Sequence, residues 1–329
     1  YGTPKGYFKK LVEAISKGAF GDVDSILNGN LPMEAFEHRY HGGHYHPEVY
    51  SQRTDEDQSV LHLVSHAPEN QVKLAKLVFS HVDIHSRKPL LLSVDKSNHS
   101  PLEEAVIWGH DDLVQYMIDE YTTSEFGKKL KDKDVRIYIL RALVSAVRLG
   151  KINFVEILVK IFFDKDWVEY KHRFGRKTKN KDIKKIKIEP NYEIRLLAMA
   201  CEYADDFLKS LQMVKLLVEA PKDGAGLDIN SEVKGWNNSK WEKRYEGWRP
   251  IHFAASTGNM EVAKFLIKEK AKVYVRTGKG ELPSELAQNS EMKSLLEGQG
   301  WLEYSEEYKA KNGVYPSWNP DYDPVPADV

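Results

Sequence analysis

Apolar residues recur along this chain at spacings of three and four, in clusters that come in pairs. The second members of the pairs are Val23-Ile26-Leu27, Leu74-Leu77-Val78, Leu113-Met117-Ile118, Val155-Leu158-Val159, Val214-Leu217-Val218, Val262-Leu266-Ile267 and Met292-Leu295-Leu296. Positions i, i+3 and i+4 share one face of an α-helix, so each cluster predicts a helix with one buried side. Ahead of each lies a small or apolar core position: Ala14, Val64, Ala105, Ala146, Ala200, Ala254 or Ala287. Gly18, Gly109, Gly150 and Gly258 separate the two members in most copies. Glycine suits a tight turn at positive φ, so the repeating unit reads as helix, turn, antiparallel helix. The fold class is all-α.

The copies are unequal. In the sixth, Arg249-Pro250-Ile251-His252-Phe253-Ala254 opens the first helix, and Gly258-Asn259 ends it. This segment resembles one ankyrin repeat almost position for position, with Arg for Thr and Ile for Leu in the T-P-L-H-x-A core. The third copy, Ser100-Pro101-Leu102-Glu103-Glu104-Ala105, keeps the Pro-Leu pair and Gly109-His110 but has Glu103 where the family has His. The second keeps Leu61-His62 with Val64 for alanine, and the fifth lacks the turn glycine. The first and fourth match by apolar pattern, and the seventh, Leu282-Pro283-Ser284-Glu285-Leu286-Ala287, is short in the manner of a terminal cap.

The resemblance implies an ankyrin-repeat solenoid of six to seven helix-turn-helix units over residues 1–299, near 7–30, 58–84, 97–121, 139–163, 193–220, 247–274 and 280–297. Steps between core positions are 50, 41, 41, 54, 54 and 33 residues, against about 33 in the family. The surplus of about 8 to 21 residues predicts enlarged loops projecting from the stack. The family also implies that His62 and His252 hydrogen-bond turn backbone and set the stacking geometry. From Gly300 the composition changes: aromatics mix with acids and, later, with Pro316, Pro320, Pro324 and Pro326. Residues 300–329 are therefore expected as a separate, extended tail, strapped along the last repeats through about Trp318 with its end mobile, or else presenting a short linear motif to a partner.

Length alone suggests two or three domains, but a repeat array overrides that estimate. Net charge is −1, so no global field recruits nucleic acid or an anionic membrane. The single cysteine, Cys201, excludes an intrachain disulfide and suits a reducing, intracellular compartment. No apolar run approaches the roughly 20 residues that span a bilayer. The chain begins at Tyr1 rather than Met, which leaves room for a leader or further domain. Abundant Lys, Asn and Ile with divergent repeats suit an ankyrin effector of an intracellular bacterium, acting in host cytosol.

Candidate chemistry is local. Trp108 precedes the turn glycine of the third copy, where the family's helix faces the concave groove, and tryptophan is enriched at binding hot spots. Trp236, Trp241, Tyr245 and Trp248 lie among Lys234, Lys240, Lys243 and Arg244. Such a mixture binds acidic peptide or stacks on single-stranded nucleic acid, and equally forms the small core a long loop needs. Trp248 is read as structural, the others as partner contacts. Residues 171–187 carry nine Lys or Arg and one acid. Arg176, Lys177, Lys184 and Lys185 there are the candidates for holding phosphate groups of nucleic acid or acidic lipid, or an acidic protein surface.

His38, His41, His44 and His46 crowd one loop and could close a zinc, nickel or copper site, but their spacing fits no specific zinc motif. No metal or cofactor is assigned. Cys201 follows a core alanine and reads as a buried structural residue. Glu103 and Glu104 are adjacent on a helix and point about 100° apart, so they cannot converge on one substrate atom. No nucleophile elbow, phosphate loop, dinucleotide fingerprint or zincin motif is present. The function expected is non-catalytic binding of another protein through groove and loop tips. The alternatives are an anion-binding module using 171–187 and an enzyme built from the insertions. Oligomeric state is not readable.

Overall fold

The computed structural model describes residues 4–28, 52–82, 84–122, 133–162, 192–203, 205–219, 227–234 and 240–313. These form two compact units, residues 1–146 and 147–329. In the first unit the helices are α1 (Pro4–Ser16), α2 (Phe20–Leu27), α3 (Val60–His66), α4 (Gln71–His81), α5 (Ile84–Leu91), α6 (Pro101–Trp108), α7 (Asp111–Thr122) and most of α8 (Lys133–Arg148). In the second they are α9 (Ile152–Phe162), α10 (Tyr192–Glu202), α11 (Phe207–Val218), α12 (Lys240–Arg244), α13 (Pro250–Thr257), α14 (Met260–Lys268) and α15 (Ser290–Asn312), with a 3-10 turn at Pro283–Leu286.

Each unit has two layers. In the first, α1, α3 and α6 pack in one row and α2, α4 and α7 in another, with each row-one helix against its antiparallel partner. Leu11, Ile15, Leu61, Val64, Leu102 and Ala105 fill the first row, and Leu74, Val78, Leu113 and Met117 the second; all are fully buried. In the second unit, α10, α13 and the 3-10 turn form one row and α9, α11 and α14 the other. Ala200 and Ala254 sit at the helix crossings with no exposure, as the core-alanine spacing requires. The helix-turn-helix reading holds at the turns as well, since Gly18, Gly109, Gly150 and Gly258 all have φ between 62° and 84°. In the second copy, which has no turn glycine, Asn70 takes the left-handed conformation (φ 61°) instead.

The connections between copies share one tight turn. Asp95 N–H donates to His99 O at 3.0 Å, Thr54 N–H to Gln58 O at 3.1 Å, and Thr277 N–H to Glu281 O at 2.9 Å. Asp57, Asn98 and Gly280 occupy the left-handed position of the three turns. Neighbouring turns are joined where Lys96 N–H donates to Glu56 O at 3.0 Å, and Gly278 N–H to Glu246 O at 2.7 Å. The latter contact leaves no room for a side chain at Gly247: a Cβ there would lie 2.5 Å from Gly278 N, on a backbone with φ 74°. Gly247→Ala is therefore expected to cost about 2 kcal/mol or more, from the left-handed penalty and the lost backbone pairing. Denaturant unfolding would measure it, and a loss within 0.5 kcal/mol would rule out the close approach.

Three elements depart from the sequence reading. The surplus between the second and third copies holds α5, which carries Pro89 inside it. Arg87 pins it to α4 by donating from Nη2 to Phe79 O at 2.8 Å, and Tyr121 donates to Leu91 O at 2.8 Å. The first helix of the seventh copy shrinks to the 3-10 turn. The boundary placed at 299/300 falls inside α15, which runs on to Asn312. Glu303 Oε2 accepts from Val273 N–H at 2.5 Å and Tyr274 N–H at 3.0 Å, and the Tyr274 and Tyr304 rings meet at 5.2 Å. The segment expected as an extended strap is thus helical through Asn312, while its proline-bearing part lies outside the described residues.

Candidate functional site

In the first unit, Ser100 caps α6 through its side chain, accepting from Glu103 N–H at 3.2 Å, while Glu103 accepts in return from Ser100 N–H at 2.9 Å. This capping box fixes the start of the helix. Gly109 ends it in the left-handed conformation. The two glutamates then diverge, as their helical separation demands. Glu103 takes Arg141 at 3.0 Å, and burial pushes its carboxyl up against the pull of the Ser100 bonds and that guanidinium. Glu104 turns to the other side, where its carboxylate accepts from His66 Nε2 at 2.7 Å and His99 Nδ1 at 2.8 Å.

Burial of Glu104, whose side chain is only 8% exposed, works against its charge. The bonds from His66 and His99 more than offset that and hold it down at about 2. Because the ionised carboxylate only accepts, His66 donates from Nε2 and His99 from Nδ1. Trp108 completes the cluster. Its Nε1 donates to Glu104 Oε2 at 3.2 Å and its ring lies 5.2 Å from that of His66. Even so, Trp108 is 57% exposed, the most of any tryptophan among the described residues. Ligand atoms of Asp95, His99 and Glu104 lie within 4.8 Å of one another, the one such metal-competent group among the described residues.

In the second unit, Trp241, Tyr245 and Trp248 gather around the buried ring of Phe253. Trp241 lies parallel to it at 6.3 Å, with Tyr245 at 5.1 Å and Trp248 at 5.0 Å. Arg195 covers the Trp241 ring at 5.1 Å, and the Tyr245 hydroxyl bonds Glu202. The core-facing histidine beside Phe253 is fully satisfied. His252 Nδ1 accepts from Arg249 N–H at 2.9 Å, and Nε2 donates to Val275 O at 3.2 Å. His62 repeats the pattern with Ser59 N–H at 3.1 Å and His99 O at 3.0 Å.

A family model described as ankyrin repeats (many copies) matches residues 197–267, the span from α10 through α14 that contains this aromatic core. Residues 197–267 carry ankyrin repeats. No curated protein matches it by sequence. Among solved structures, the ankyrin repeat domain of Bcl-3, titled a unique member of the IkappaB protein family, is similar with a TM-score of 0.54 at 18% identity, covering 88% of this chain and 98% of that one. The human ASB11 ankyrin repeat domain is similar with a TM-score of 0.49 at 18% identity, covering 87% of this chain and 95% of that one. At such identity the likeness to the Bcl-3 domain shows the ankyrin-repeat fold alone. His62 and His252 accordingly hold the places that the resemblance implied, bonding turn backbone in their repeats.

The candidate residues distribute unevenly over this ankyrin frame. Trp108 ends a first-row helix and keeps an open face. Trp241 and Tyr245, expected as partner contacts, have ring faces taken up by their own chain and are half-buried. Their loop has its own small core, as Trp248 does. Trp236 lies outside the described residues, as do Arg176, Lys177, Lys184 and Lys185 of the basic stretch and His38, His41, His44 and His46. Cys201 is fully buried in α10, and burial pushes its thiol up, which suits packing rather than nucleophilic chemistry. Among the described residues no helix is long and apolar enough to cross a membrane.

The His66–Glu104–His99 bridge was not legible in the sequence reading. His66 lies 38 residues before Glu104, and the variable repeat step hides which residues face each other across two copies. The available signal was the turn motif Asp95-Lys96-Ser97-Asn98-His99, which sets His99 directly ahead of the helix cap at Ser100.

Proposed function

We propose that this chain is a non-catalytic, intracellular protein-binding module, and that Trp108 anchors the partner. Ankyrin repeats generally serve protein–protein interaction, which supports the class of function. One observation carries the choice of surface: Trp108 is widely exposed yet held in orientation by Glu104 and the His66 ring. A large aromatic side chain that is already immobilised loses little entropy on contact and contributes area at an interface centre. The divergence of Glu103 and Glu104 and the burial of Cys201 support the non-catalytic reading.

The test is capture from cell lysate on the immobilised chain at physiological salt, with and without nuclease, followed by affinity measurement on what is retained. Trp108→Ala is expected to weaken a nuclease-resistant protein partner by about tenfold or more while leaving the circular dichroism unchanged. Retention only of nucleic acid or acidic lipid, lost when Arg176, Lys177, Lys184 and Lys185 are neutralised, would replace this reading with the anion-binding one.

A further inference from the structure

We propose that Asp95, His99 and Glu104 form a divalent-metal site of one imidazole and two carboxylates, a mixed nitrogen and oxygen donor set open to zinc. The three come from two places in the first unit: the tight turn Asp95–His99 and the first turn of α6. Each is anchored before any ion arrives. Asp95 N–H donates to His99 O at 3.0 Å, His99 N–H returns to Asp95 Oδ1 at 2.8 Å, and Glu104 sits on a capped helix. Such fixed backbone positions are what a ligand set needs to act as one.

The distances suit an ion with small side-chain rotations. Zinc binds nitrogen and oxygen at about 2.0–2.1 Å, so tetrahedral ligand atoms lie about 3.3 Å apart. The His99 contact to Glu104 Oε1, at 2.8 Å, needs to open by only about half an ångström, while His66 bonds the other oxygen of that carboxylate. The Asp95, His99 and Glu104 ligand atoms already fall within 4.8 Å of one another. His99 N–H uses one oxygen of Asp95, and no other described side chain bonds that carboxylate. The two carboxylates match the charge of a dication.

Binding at His99 Nδ1 places the ring proton on Nε2, and that side chain is 29% exposed. Trp108 Nε1 stays on Glu104 Oε2 as an outer partner, which orients the ligating carboxylate. The indole thereby reports on the site.

The experiment is zinc titration of the intact chain by calorimetry and by competition with a chromophoric chelator. Three variants accompany it. Asp95→Asn keeps the oxygen that accepts from His99 N–H and so preserves the turn. His99→Gln removes the imidazole. The third replaces His38, His41, His44 and His46 together by Asn. One saturating equivalent is expected, weakened at least about tenfold by Asp95→Asn and by His99→Gln and unchanged in the fourfold loop variant. Zinc is also expected to shift Trp108 emission, seen as a difference lost in Trp108→Phe, and X-ray absorption should show scattering from one imidazole. Absence of saturable uptake, uptake indifferent to Asp95→Asn and His99→Gln, or uptake lost with the loop histidines alone would each overturn the site. Partner capture is scored separately on zinc-free protein, so failure of the metal site leaves the protein-binding reading standing.

Discussion

Phe253→Ala is expected to destabilise the second unit by about 3–5 kcal/mol, the usual loss for a buried phenylalanine. Phe253 has no exposure, and three rings rest on it: Trp241 in parallel, Tyr245 and Trp248 at an angle. Truncation removes the transfer energy of the ring, opens a cavity, and deletes three aromatic pairs. The cavity cannot close by helix movement, because Gly247 N–H to Val233 O and Val233 N–H to Trp248 O, both 2.9 Å, tie the loop to its neighbour. Urea unfolding followed by tryptophan emission measures the change. Phe253→Leu, which keeps apolar volume, should recover more than half of it. A loss below about 1 kcal/mol for the alanine variant would mean that the ring cluster does not hold this loop.

Acid should unfold the chain in a window set by its repeat histidines. Burial lowers His252 from its ordinary value of 6.5 to about 4, with Arg249 adding to the effect and the Val275 bond opposing it. His62 is lowered in the same direction, again chiefly by burial. In the unfolded chain His252 takes its proton near 6.5, while the folded chain refuses it until about 4. The unfolded state therefore binds more protons across that interval, so stability falls as pH drops through it and levels off below. The His252 contribution lost over the window is on the order of 3 kcal/mol. Unfolding free energies in urea between pH 7.5 and pH 4 test this, and the slope should flatten in His252→Gln. An unchanged slope in that variant would show that His252 is not the titrating group. Glu104, held at about 2, keeps its charge throughout this window.

Both predictions rest on residues that could be placed before any coordinates. The repeat motif Arg249-Pro250-Ile251-His252-Phe253-Ala254 located the histidine, and its bond to Val275 O is the turn contact that the motif implies. Other features were hidden for physical reasons. α5 contains Pro89, a residue that reads as a helix breaker, yet its own Arg87 ties it to Phe79 O of α4 and Tyr121 bonds Leu91 O at its end. α15 carries Gly298 and Gly300, each costing about 1 kcal/mol of helix propensity, so composition marked a boundary there. Gly300 is buried, with Tyr274 Cδ2 3.7 Å from where a Cβ would be, and Glu303 caps the N–H groups of Val273 and Tyr274. Those contacts sustain the helix where local preference opposes it.

The candidate site divides in the same way. That Trp108 would end a helix, and that Glu103 and Glu104 would point apart, follows from helical periodicity and the turn at Gly109. That one carboxylate would collect His66, His99 and Trp108 does not. What the sequence by itself determined is periodic and local: the helical pairs, the turn positions, the buried alanines and the family histidines, because each follows from residues a few places apart. Only the tertiary structure decided which copies' side chains meet, where the long connections fold, and that Trp241 and Tyr245 pack inward on Phe253. Those depend on the distance between one repeat and the next, and the unequal steps of this chain leave that distance free until the helices have packed.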